Sequence, residues 1–92
     1  MTDKVWVVSE SYLVEDEYDF GTEQVAVCSS KEAAIDTLRK MFEKRVKELR
    51  KSKRAAETAD IFEDEYEVVP EYDDEADNIR YRGKVFETEI IA

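Results

Sequence analysis

The stretch from Lys31 to Arg54 constrains this chain more than any other, because it reads as one long amphipathic helix. Ile35, Leu38, Phe42, Val46 and Leu49 recur at steps of three and four, and Ala34 and Met41 widen the stripe. One face is therefore apolar and must be covered by a second layer. Ser29 with Glu32 three residues on forms a capping box for amides that a helix start leaves unpaired, and with Ser30 as the cap the boundary moves by one. Acidic Glu32 and Asp36 near the start and a basic cluster near the end suit the helix dipole.

The covering layer has to come from the flanks. Val5-Trp6-Val7-Val8 through Val14 reads as a β-strand with apolar residues on both faces, hence a central strand. Val5, Val7 and Leu13 compete with Trp6, Val8, Tyr12 and Val14 for the core side. An acidic turn follows, with Gly21 as its expected residue at positive φ, and Glu23 to Cys28 returns antiparallel. Ala55 to Ala59 reads as a frayed helix extension or loop, since the apolar stripe lapses at Ser52-Lys53. Glu65 to Val69 is the third strand, where Pro70 implies an edge position or a bulge. Ile79 to Ile91 is the last, with a bulge expected at Gly83. Ninety-two residues make one domain, residues 1–92. The expected fold is α+β: a β-β-α-β-β two-layer sandwich with a four-stranded, mainly antiparallel sheet and one helix on one face.

Charge is distributed unevenly. The net charge is -10, yet Arg39 to Arg54 holds nine basic residues against Glu43 and Glu48, a local +7. That leaves five basic and 22 acidic residues elsewhere, or -17. Lys40, Lys44, Lys47, Lys51 and Arg54 are read as one exposed basic helix face. Contact with a polyanion is disfavoured by the acidic remainder, which repels phosphates within a Debye length of about 8 Å.

The chain contains no His, which removes the commonest general base and transition-metal ligand. Its carboxylates crowd expected loop tips, where water keeps them ionised, so no catalytic residues are assigned and the protein is read as a non-enzyme. Asp73, Glu75 and Asp77 alternate like the first ligands of a calcium loop, but Asn78 and Lys84 stand where Gly and a bidentate Glu belong. Neither a metal nor another cofactor is assigned. Cys28, the single cysteine, is read as a small buried hydrophobe. No leader and no run of about 18 apolar residues is visible, so a cytoplasmic protein without membrane contact is expected.

The acidic groups suggest a surface. Glu17 and Asp19 beside Tyr18, Glu65 and Glu67 on the third strand, and Asp73, Asp74 and Asp77 beside Tyr72 can imitate a row of phosphates and bases. VWVVSESY at Val5–Tyr12, VAVCSSKEAAIDTL at Val25–Leu38 and VFETEI at Val85–Ile90 resemble short acidic proteins of bacteriophages and of mobile elements of gut bacteria. The resemblance supplies no site residues. It implies a setting among inhibitors of host defence, anti-CRISPR proteins and other nucleic-acid mimics included. The expected function is a protein-binding inhibitor that blocks a basic, nucleic-acid-binding site on a host protein such as a CRISPR nuclease. The alternatives are a self-assembling accessory protein whose basic helix meets the acidic sheet of another copy, forming a homodimer, and nucleic-acid binding through the helix.

Overall fold

The computed structural model describes residues 2–14 and 19–91. Its elements are β1 (Thr2–Val14), β2 (Asp19–Cys28), α1 (Lys31–Lys51), β3 (Ala56–Ile61), β4 (Glu65–Pro70) and β5 (Ile79–Ile91). The strands form one sheet in the order β2-β1-β5-β4-β3, with every neighbouring pair antiparallel. The α+β class and central β1 hold, and the expected four strands become five. The additional strand is β3, where an extension of the helix or a loop was expected. Ala56, Glu57 and Ala59 carry little strand propensity, and pairing with β4 overrides it.

Alternation decides which residues of β1 reach the core. Trp6, Val8 and Glu10 face the helix, while Val5, Val7, Ser9, Ser11 and Leu13 face the other side. Val8, Ala34, Leu38, Tyr66, Val68 and Val85 make the buried cluster, and Trp6, Cys28, Met41, Phe42, Val46, Leu49 and Tyr81 pack around it. Burial of a side chain such as Leu38 contributes roughly 2 kcal/mol. Phe42 meets the Tyr66 ring edge-on at 5.9 Å.

Three local expectations change, and the choice between two helix caps is settled. Ser30 is the N-cap, and its Oγ accepts from the Ala33 amide at 3.2 Å. The helix stops at Lys51 and not Arg54. Neither glycine has positive φ. Gly21 lies opposite Tyr12 in the β1–β2 ladder, and a Cβ there would come within 2.9 Å of the phenol ring. Gly83 sits in an unbroken register with β1, so there is no bulge. Its cross-strand partner in β4 is Tyr66, whose ring lies over the Gly83 backbone. β4 runs between β5 and β3, but its ladder with β5 ends at Val68, so Pro70 pairs on one side only, with Ala56 of β3 beside the register shift between Ala56 and Thr58, as an edge position or a bulge requires. No helix among the described residues is long and apolar enough to cross a membrane.

Candidate functional site

The feature that gathers acidic side chains is the 71–78 connection between β4 and β5, and its shape originates at the end of α1. Ser52 caps the helix and Lys53 turns into the left-handed region at φ 56°. The Lys53 amide donates to the Arg50 carbonyl at 3.0 Å and the Arg54 amide to that of Leu49 at 2.9 Å, the bond pattern of a Schellman motif. This reversal carries Arg54 off the helix toward the connection. Its guanidinium donates to the Asp77 carbonyl (2.9 Å), the Glu71 carbonyl (2.8 Å) and the Asn78 Oδ1 (2.9 Å).

Asn78 is the other fastener. It is 2% exposed, and its Oδ1 also accepts from the Asp73 amide at 2.9 Å. Its Nδ2 donates to the Asp73 and Ala76 carbonyls at 3.0 and 3.1 Å. With two donors and two acceptor positions engaged, the amide is saturated. The Asp73 carboxylate accepts from the Glu75 amide at 3.0 Å, a local turn of the kind acidic residues stabilise. Pinned from within, the connection directs Glu71, Tyr72, Asp73, Asp74, Glu75 and Asp77 to solvent, with Tyr72 64% exposed. Asp74 and Asp77 take no side-chain part in these bonds.

The residues singled out from sequence divide into separate groups. Tyr72, Asp73, Asp74 and Asp77 come together in this connection. Glu65 and Glu67 lie elsewhere, on the sheet face away from the helix, beside bases of β5. Glu65 is 3.9 Å from Arg82, and Glu67 is 3.4 Å from Arg82 and 3.8 Å from Arg80. Their charge is partly neutralised in place. Glu17 and Tyr18 lie outside the described residues, and Asp19 opens β2 opposite Val14. Val14 in turn pairs with Ile79, so the ends of β1 and β2 lie at the same end of the sheet as the 71–78 connection. Lys40, Lys44, Lys47 and Lys51 do line one shallow groove along α1, with Glu43 and Glu48 among them. Arg54 does not belong to that row, because the Schellman turn sends it to the loop.

One arrangement has no counterpart in the sequence reading. Arg45 turns inward from the basic stretch and grips Glu10 side-on, Nε to Oε2 at 2.9 Å and Nη2 to Oε1 at 2.5 Å. Its Nη1 reaches Glu48 at 3.0 Å, and the guanidinium carbon lies 3.8 Å from the centre of the Tyr81 ring. The Tyr66 hydroxyl donates to the same Glu10 carboxylate. Burial pushes Glu10 up, but the Arg45 and Tyr66 hydrogen bonds and the nearby positive charge outweigh it, leaving its pKa below the ordinary value. Tyr66 is pushed well up, first by burial and then by its bond to Glu10. Tyr81 is raised by burial against the opposing charge of Arg45. The one available signal was Glu10 itself, a carboxylate on the strand alternation shared by Trp6 and Val8. These groups satisfy one another, and the cluster fastens helix to sheet. Among the described residues, no three Cys, Asp or Glu side chains are grouped to hold a metal ion. No protein-family model, curated protein or solved structure matches this chain.

Proposed function

We propose that this protein is a non-enzymatic binding module that presents the 71–78 loop to a basic groove on a nucleic-acid-binding protein and thereby competes with nucleic acid. The observation that carries this reading is the internal fastening of the loop by Arg54 and Asn78. Acidic side chains on a fixed backbone keep their spacing on binding and lose less entropy than they would on a floppy tail. Asp74 and Asp77 supply charge, and Tyr72 supplies stacking area. Glu65 and Glu67 contribute less, because Arg80 and Arg82 already screen them. A phage-encoded inhibitor of a host nuclease fits this chemistry.

The test is binding to a panel of nucleases and other proteins with basic nucleic-acid grooves, measured while salt rises from about 50 to about 500 mM, where screening becomes strong. Affinity for a target should fall at least about tenfold across that range, and again in the Asp74→Lys, Asp77→Lys double variant. Those two positions are chosen because their carboxylates do not hold the loop together. Binding that ignores both salt and charge reversal would exclude the loop as the docking surface.

A further inference from the structure

We infer that the sheet face opposite the helix is a homodimer interface, on which a second copy stacks to give an α/β/β/α sandwich. Cross-strand partners Val27, Val7 and Phe86 form an apolar row over β2, β1 and β5, with Val5 and Ile90 extending it toward one end of the sheet. Val27, Phe86 and Ile90 are 50%, 43% and 50% exposed, although an antiparallel sheet with one face in water ordinarily places polar residues there. Beside this patch the face is salt-laced: Glu65 and Glu67 on β4 adjoin Arg80, Arg82 and Lys84 on β5.

That pattern selects a copy of the chain over other occupants. The molecule carries -10, so two copies repel over most orientations, but here acid and base nearly balance and like molecules can approach. A strongly basic partner is drawn to the 71–78 loop instead, and a polyanion is repelled by the whole. Columns of opposite sign on neighbouring strands also let each copy offer both acids and bases to its mate, as an isologous contact requires. The molecule measures 53 × 24 × 17 Å, so a sheet face running its length has room for the roughly 800 Å² per partner of a standard interface. Edge-to-edge pairing is obstructed on both sides. The outer strands β2 and β3 each join the sheet through a register shift, and β3 adds Glu57 and Asp60. Stacked sheets pack about 10 Å apart with strands crossing at about 30°, leaving both helices outside.

Sedimentation equilibrium at about 100 μM protein in about 150 mM salt, where only short-range contacts escape screening, should give twice the chain mass. Val27→Lys with Phe86→Lys should weaken association at least tenfold while far-UV circular dichroism and the thermal midpoint of the monomer stay unchanged. Both side chains are half-exposed, whereas Val7 is buried and is left intact. Lys44→Glu with Lys47→Glu on the helix should leave the dimer in place. A monomeric wild type, a Val27→Lys, Phe86→Lys variant that still dimerises, or a dimer dissolved by the helix variant would each overturn the inference.

Discussion

At Gly83 a single missing methyl decides how the core packs. A Cβ built there would stand 2.5 Å from Cδ2 and Cζ of Tyr66 and closer still to Cε2. Tyr66 is wholly buried, held by the Phe42 ring and by the Glu10 carboxylate, and has nowhere to go. Gly83→Ala should therefore destabilise by about 3 kcal/mol, as overpacking of a rigid core does. Urea denaturation checks this, and a loss under about 1 kcal/mol would mean that the ring can slide. Gly21→Ala is the internal comparison, since the Tyr12 ring it meets is only partly buried. The sequence signals a special backbone position at Gly83 and misleads about the reason. A glycine that interrupts alternation reads as a bulge when its cross-strand neighbour is unknown, and that neighbour lies in another strand. Asn78 was obscure for a similar reason: among so many acids it reads as one more loop residue, and only the fold shows its amide holding both sides of the turn.

The elements that were legible are those with strong periodicity. The helix stripe, the alternation of β1 and the span of β5 emerge because their burial is dictated by residues within the element. β3 did not emerge, and the cause lies at the end of α1. A helix that reverses through a left-handed residue ordinarily advertises it with glycine, and here the position is occupied by Lys53. Without that signal the helix reads on to Arg54, and Ala55 to Ala59 read as its frayed extension or a loop. The same residue gives a test. Lys53→Gly should raise stability by about 1 kcal/mol, because an L-residue in the left-handed region is strained by roughly 1–2 kcal/mol and glycine is not. A rise in the urea midpoint with unchanged slope is expected, and any fall would show that the lysine side chain supplies a compensating contact.

Taken as a whole, the molecule is two layers riveted by one ionic cluster, so its pH response should follow that cluster. Glu10 titrates below its ordinary value of 4.5, and its contribution is present above that value and lost as pH falls through the lowered one. Tyr66 titrates above its ordinary 10.0, so its contribution is present below that pH and is lost as alkali ionises the unfolded chain first. Stability should thus be flat from about pH 5 to about pH 9 and fall on both sides. Glu10→Gln should lower the plateau by about 2–3 kcal/mol, since the Glu10 and Arg45 side chains are only 12% and 22% exposed and the cation keeps only the more exposed Glu48 as a charged partner. It should also flatten the acid limb, and an acid limb unchanged in that variant would locate the titration elsewhere. At this scale the two-layer architecture and the acid-rich 71–78 connection could be read from sequence. The pairing of Glu65 and Glu67 with arginines could not, because it depends on which strands become neighbours. That adjacency governs the order of assembly as well. β1 precedes the other strands in the chain, yet its inner neighbour β5 follows all of them, with Thr2 facing Ile91 across the ladder. At a synthesis rate of roughly 5–20 residues per second, β1 must wait several seconds for its partner to leave the ribosome. The β1–β5 seam at the middle of the sheet therefore closes only after every other strand has been made, and loss of either β1 or β5 opens that same seam.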